Sequence, residues 1–451
     1  MQMTYPGHIR ATLTLGLPLI GGHLAQFAVG LTDTVMLGWY GVGPLAAVTL
    51  AGSYFFLFFM LGSGFAFAVM PLVAAASAAG DETGLRRATR MGLWLSVAFA
   101  VLAMPVFWWS EPILTALGQE AEVAREAAGY LRIAGWGLFP ALLAMVLKSY
   151  LAALERTQVV FWVTVLAAGV NALANYALIF GHWGAPELGV AGAAIASVST
   201  QVVTVAAMAV YARAVLPEHG IFVRLWRADW EMLARVFALG LPIGFTTLAE
   251  VSLFSASAFM MGWLGEVPLA AHGIAITVAS GAFMIHLGLG NVATIRAGNA
   301  LGRGDRAHMA RGALTVTGLS LGVAVLTSLF FILFPEAIIS MFLDAGDPAR
   351  PQILEIGVVL LALAALFQLV DGAQAIALGL LRGIQDTRVP FVMAALSYWV
   401  VGVTVSYGLG FGLGWGGTGI WIGLVCGLAC AGVFLMARFW RRGLLAVPQV
   451  A

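Results

Sequence analysis

The sequence predicts an all-α polytopic membrane protein, with twelve transmembrane helices in two six-helix bundles related by a pseudo-twofold axis along the membrane normal. Three observations predict it. The first is composition: of 451 residues, 61% are hydrophobic and 10% are charged, against roughly 25% charged in ordinary soluble domains. Mean hydropathy is +0.97. The second is twelve long apolar runs. The third is a repeat of the chain at a fixed offset. The same composition excludes disorder, which needs low hydrophobicity and high charge. With 22 Lys+Arg against 21 Asp+Glu, no basic footprint for nucleic acid exists either.

A bilayer-spanning helix needs about 20 mostly apolar residues. Such runs lie near 11–37, 44–76, 89–109, 127–154, 158–181, 188–213, 233–262, 268–298, 310–334, 353–381, 389–412 and 417–440. Membrane barrel strands would instead read as alternating segments of about ten residues. The first run is too long for a signal peptide and shows no convincing cleavage site. Basic residues set orientation. Of the 22, 19 fall on one side; only Arg125, Arg132 and Arg350 fall on the other. Both termini are therefore expected in the cytoplasm, in a multi-pass cell inner-membrane protein. Trp39, Trp108, Trp109, Trp183, Trp263 and Trp415 fall at expected outer ends, where an amphipathic ring suits the interface.

The repeat has an offset of 224. Leu15-Gly16-Leu17-Pro18 recurs as Leu239-Gly240-Leu241-Pro242, Gly38-Trp39 as Gly262-Trp263, and Gly80-Asp81 as Gly304-Asp305. Over residues 15–47, 14 of 33 positions are identical at that offset. Each half holds six runs, and an even number gives both halves one orientation. The expected lobes are 1–213 and 233–451, joined by a polar, basic cytoplasmic linker at 214–232. Repeats of this kind are the usual basis of alternating access around a central cleft.

Charge is scarce enough to sort residue by residue. Of 21 acids, 18 fall in loops or at helix ends; Asp33, Glu250 and Asp371 do not. An Asp at mid-helix costs about 2.5–3.5 kcal/mol on insertion scales, so an intramembrane acid is a functional candidate. Asp33 shares a stripe with His23, Gln26 and Gly30, at spacings of three, four and three. By helical rise, Glu250 lies about 18 Å from the outer end of the seventh run, and Asp371 about 15 Å from the inner end of the tenth. Glu250 occupies the repeat position of Gln26. Two carboxylates at one depth in one lobe suit a cation site, since hard oxygens bind Na⁺ and a poorly solvated pair can hold a proton. Candidate neutral partners are Thr246, Thr247, Gln368 and Gln374, with Asn171 and Asn175 one turn apart in the fifth run for Asp33. Interhelical glue is an almost equal account of the two asparagines.

Other residues read as structural. Lys148, near the inner end of the fourth run, can snorkel to the interface. His272 and His286 read as packing, as do Cys426 and Cys430, four apart on one helix face. Gly80-Asp81 and Gly304-Asp305 read as tight cytoplasmic turns. No phosphate loop or nucleophile constellation is present, so neither an ATP-driven pump nor an enzyme is expected.

These residues together resemble the multidrug and toxic compound extrusion (MATE) family, and its NorM-type bacterial branch. The resemblance is carried by Leu31-Thr32-Asp33-Thr34, by Asn171 and Asn175 in Asn-Ala-Leu-Ala-Asn-Tyr, by Glu250, by Asp371 beside Gly372, and by Leu381-Arg382-Gly383 with Asp386-Thr387. It covers essentially the whole chain. The resemblance implies a secondary antiporter exporting amphipathic, mostly cationic drugs or dyes against inward Na⁺ or H⁺. It implies no cofactor beyond that coupling ion, a cation site at Glu250 and Asp371, and a role for Asp33 in the first lobe. Members of this branch place a Tyr one turn before the tenth-helix acid. Phe367 stands there in this chain, which removes a hydroxyl ligand.

Partners expected are small drugs or dyes and membrane lipids, with no nucleic acid, and the protein is expected to be a monomer. The 17 Met, 14 Trp, 9 Tyr and 27 Phe offer deformable surface for loose binding. A lipid-linked precursor flippase would want a strongly basic cleft, and a non-coupled channel would want a pore ring. A major-facilitator carrier would carry a Gly-x-x-x-Asp-Arg-x-Gly-Arg-Arg-like loop, which residues 80–87 do not match.

Overall fold

The computed structural model describes residues 3–344, 346 and 348–446. Twelve helices are long and apolar enough to cross a membrane. They are α1 Tyr5–Tyr40, α2 Gly43–Ala78, α3 Glu82–Trp108, α4 Ala121–Ala153, α5 Thr157–Phe180, α6 Gly189–Val215, α7 Trp230–Leu264, α8 Glu266–Arg303, α9 Arg306–Leu333, α10 Arg350–Gly383, α11 Arg388–Gly412 and α12 Gly416–Gly443. No strand occurs among the described residues. The chain is a multi-pass all-α membrane protein.

Most helices overrun the apolar runs by a few residues, and at two turns capping sets where they end and start. Gly80 and Gly304 close α2 and α8 with left-handed φ of 73° and 66°, a conformation glycine adopts without steric cost. The next residues start new helices: Asp81 accepts from the Gly84 amide and Asp305 from the His308 amide, each at 2.8 Å. A carboxylate at this position satisfies one of the orphan donors of a helix start. The repeated Gly-Asp pairs are thus turn and cap in one.

Contacts group the chain into two compact units, Gly21–Gly244 and Met1–Ile20 with Phe245–Ala451. The division falls inside α1 and α7. Pro18 and Pro242 lie within two or three residues of those points, and each removes a helical backbone donor.

In the Gly21–Gly244 unit, Phe107, Leu114, Leu131, Leu138 and Leu142 form one apolar core. The first part of α7 packs on α2 through glycines: a Cβ on Gly64 would run into the backbone of Gly240 and Gly244. Small residues permit such approach where lipid offers no hydrophobic drive between helices. Residues 214–232 fold against α3. Arg90 Nη2 donates to the Gly220 carbonyl at 2.8 Å, and Trp94 Nε1 to the Leu225 carbonyl at 2.6 Å. Arg87 pairs with Asp229 and, at 2.8 Å, with Glu231.

In the other unit, Leu361, Tyr398, Trp421, Leu428 and Phe439 lie in the largest core. Here the first part of α1 packs on α8 in the repeat-related way. A Cβ on Gly288 would meet the Ile20 backbone at 3.0 Å, and one on Gly16 would meet Leu289 and Val292 at 3.5 Å. Offsets of 224 thus relate contacts as well as residues. Near its start, α1 is held to α8 by Arg296 Nη2 and His8 Nδ1, 2.6 Å apart.

The Arg87 pair predicts a pH effect. The hydrogen bond from Arg87 holds the Asp229 carboxyl below its usual range. A depressed acid contributes stability above the unfolded value of about 4, and that contribution is lost as pH falls through the folded value. Asp229→Asn should therefore lower the melting temperature at pH 7, by the equivalent of about 1 kcal/mol for a partly exposed pair. At pH 3 the two proteins should melt closer together. Thermal unfolding in detergent at both pH values checks this.

Candidate functional site

The three acids inside the spans gather polar neighbours at two places, one in each unit. In the Gly21–Gly244 unit the centre is Asp33 on α1. Asn175 Nδ2 donates to Asp33 Oδ1 at 2.5 Å and to Asn171 Oδ1 at 3.1 Å. The two asparagines lie one helical turn apart on α5, so one side chain bridges both partners. Both are buried, at 2% and 1% exposure, and Asn175 Oδ1 has no hydrogen-bond partner. Beside them is a cavity of about 290 Å³, lined by Asp33, Thr34, Thr49, Ser53, Tyr130 and Ser197 with Leu37, Leu45 and Val48. That volume approaches the roughly 300 Å³ lower bound of small-molecule pockets. Asn175→Ala would strip a donor from a half-buried carboxylate, at a cost of about 1.5 kcal/mol, the lower end for a hydrogen bond to a charged group. A lowered melting temperature in detergent is the expected result.

In the other unit the centre is Glu250 on α7 with Asp371 on α10. Gln374 Nε2 donates to Glu250 Oε1 at 3.1 Å. Asp371 lies one turn before Gln374 on the same helix face, and Glu250 acts on it electrostatically. Asp371 is 2% exposed, and its Oδ1 has no hydrogen-bond partner; the same holds for Gln374 Oε1 and Tyr398 Oη. Arg382 is within electrostatic reach of Glu250, and Tyr398 within reach of Glu250, Asp371 and Arg382. Buried oxygens of this kind are normally satisfied, so a cluster of them calls for a physical account.

The remaining candidates take different places. Gln368 Nε2 donates to the Ala279 carbonyl at 3.0 Å, which ties α10 to α8. Thr246 is buried and Thr247 half-buried, one turn before Glu250. Phe367 packs edge-on against Phe254 and Trp421, with centroids 5.9 Å away in each case. It supplies no oxygen. The phenol near the two acids comes from Tyr398 on α11, in a stretch of wide π-type turns at Ser397–Val403; such turns are frequent at functional sites. His272 accepts from Trp421 Nε1 at 3.1 Å. His286 Nδ1 meets Ser320 Oγ at 2.9 Å, and its ring covers Gly372. Gln26 makes a different contact. It accepts from Lys148 Nζ at 3.2 Å, so the lysine expected to reach for interfacial water instead reaches for α1.

Sequence reading missed Tyr130, Ser197 and Tyr398, and it placed Arg382 with the cytoplasmic charges. A buried tyrosine in an apolar run is a signal, because its hydroxyl needs a partner. The direction in which it points is not readable from spacing alone.

No group of three His, Cys, Asp or Glu side chains is arranged to hold a metal among the described residues. The oxygens around Glu250 and Asp371 are carboxylate, amide and phenol. Hard oxygens suit a proton or an alkali or alkaline-earth cation, not a soft transition metal.

Twelve spans, a sequence-level repeat and buried acids within the spans define a membrane transporter rather than an enzyme. The MatE family's model matches residues 18–177 and 242–408, one segment in each repeat. The chain belongs to the MatE family. Among similar proteins is "Probable multidrug resistance protein NorM" of Rhizobium meliloti (strain 1021), 46% identical over 99% of this chain and 97% of the relative. The protein of that name from Agrobacterium fabrum is 44% identical over 96% and 93%. Among solved structures, a MATE protein in the straight conformation superposes with a TM-score of 0.88 at 20% identity, covering 98% of this chain and 97% of the other. The eukaryotic MATE transporter AtDTX14 superposes at 0.86 with 19% identity, covering 98% and 97%. Both show the shared fold.

Proposed function

We propose that this protein is a cation-coupled multidrug antiporter. It exports amphipathic, mostly cationic compounds through the cell inner membrane by alternating access, with Na⁺ or H⁺ as the coupling ion and both termini in the cytoplasm. The relatives' names support the drug-efflux part of this reading. The observation that carries the coupling is the cluster at Glu250 and Asp371.

Its formal charges are two negative, from Glu250 and Asp371, and one positive, from Arg382. A buried carboxylate beside a half-buried one is costly unless compensated, and one arginine leaves one negative charge over. One monovalent cation balances the cluster. The unpartnered oxygens of Asp371, Gln374 and Tyr398 suit a proton or Na⁺ as the balancing charge. In the proposed cycle the cation enters from outside and neutralises the cluster. That removes the charge that favours a cationic drug, and the drug leaves outward. The cation-loaded protein turns inward, releases the ion and rebinds drug. Asp33, aimed by Asn175 and open to its cavity, contributes in the first repeat. Exchange of one monovalent cation for a monovalent cationic drug moves no net charge, so the drive is the ion's concentration gradient, about 1.4 kcal/mol for each tenfold.

Dye efflux from proteoliposomes tests the reading, with Na⁺ and pH gradients imposed separately. Efflux driven by either gradient is the expected result. Dye movement at one rate with and without both gradients would contradict coupling.

A further inference from the structure

The Lys148–Gln26 pair is a polar feature that the coupling scheme does not use. Lys148 is five residues from the end of α4, and a helical side chain tilts toward the N-terminus of its own helix. Its ammonium is therefore carried away from the near end of α4 and into the span. There Gln26 Oε1 holds it at 3.2 Å. Gln26 is exposed and Lys148 half-buried, so the pair is open to a ligand. Lys148 makes no ion pair among the described residues. Its charged surroundings include His23 on α1, which brings no negative charge. An ammonium inside a span normally pairs with an acid or lines a pathway.

Asp33 lies seven residues from Gln26 on α1, two turns away on the same face and about 10 Å along the axis. One side of α1 thus presents a carboxylate and, through Gln26, an ammonium. The repeat makes the difference explicit: at the Gln26 position the other unit carries Glu250, bonded to a neutral glutamine.

We propose that Lys148, aimed by Gln26, is a subsite for a carboxylate carried by the transported compound. A compound that pairs a cationic amine with a carboxylate is then held at both ends. This rests on the exporter reading and assigns it a specificity-determining residue. The amine end faces the Asp33 carboxylate, and the acid end receives a charge-assisted hydrogen bond from Lys148 Nζ.

The test uses ciprofloxacin, with its carboxylate and piperazinium at opposite ends of the molecule, and its ethyl ester, which lacks the carboxylate. Affinities for both are measured by intrinsic fluorescence on the full chain in phosphatidylcholine nanodiscs. Lys148→Gln is expected to lower the acid-to-ester preference at least about tenfold, the scale of one hydrogen bond to a charged group. Lys148→Arg is expected to keep most of it. Gln26→Ala, which removes the acceptor that aims the ammonium, shifts the preference in the same direction by a smaller factor. An unchanged preference in all three variants overturns the subsite alone. No saturable binding of either compound by the wild type overturns the exporter reading and the subsite together. A second arm counts phosphatidylglycerol retained after exchange into mixed phosphatidylcholine and phosphatidylglycerol. Loss of one such lipid in Lys148→Gln, with an unchanged drug preference, assigns the ammonium to a lipid phosphate and overturns the proposal.

Discussion

Glu250→Gln should bring cation-driven efflux down to the background of empty vesicles, while folded protein still accumulates in the membrane. The change is nearly isosteric, so the side chain can still meet Gln374 across 3.1 Å. What changes is the charge of the cluster, from one negative to none. A neutral cluster has no electrostatic reason to take up a cation. The drive of about 1.4 kcal/mol per tenfold cation gradient is then lost to transport, and drug accumulation should fall by roughly the factor of the imposed gradient. Asp371→Asn should do the same, because the two acids share one excess charge. Efflux assays in vesicles, with gel filtration to confirm folding, check both. Wild-type efflux in either variant would remove that residue from the coupling site.

Gly64→Leu should be the most damaging substitution for stability. Its Cβ is directed at the backbone of Gly240 and Gly244, and backbone cannot swing aside as a side chain does. Overpacking typically costs about 1–3 kcal/mol, and here α2 and α7 would also have to separate. Gly288→Leu should act similarly in the other unit, where the added Cβ meets Ile20 Cγ1 at 2.5 Å and the Ile20 backbone at 3.0 Å. Gly22→Ala is the control. Nothing lies within 4 Å of the Cβ it would add, and alanine in a helix interior gains about 0.5–1 kcal/mol over glycine. Melting temperatures in one detergent should fall for the first two variants and hold or rise for the third.

Much of this architecture was legible because lipid makes hydropathy a structural signal. Twelve apolar runs lie within or across the twelve long helices, and glycine-aspartate pairs 224 residues apart became paired turns and caps. What hydropathy averages away is direction. Lys148 near a helix end looked like a residue reaching for water. Its side chain instead follows the tilt set by its own helix and meets Gln26. Arg382 counted as one more basic residue near a helix end, yet it lies within electrostatic reach of Glu250. Tyr398 sat in an apolar run with no visible partner, and the wide turns of α11 bring it to the acids. The division of α1 and α7 between two units depends on glycine contacts hundreds of residues apart. The repeated Leu-Gly-Leu-Pro marked the place without revealing the packing.

The central claim is that one cation balances Glu250 and Asp371 and is exchanged for a cationic drug. The most direct measurement is ion release when a cationic dye binds the purified protein. Protons are read from binding heats in buffers of different ionisation enthalpy, and Na⁺ from displaced radioactive sodium. The account predicts about one cation displaced per dye bound by the wild type, from charge balance, and none by Glu250→Gln. Equal displacement by both proteins, or none by the wild type, would contradict it.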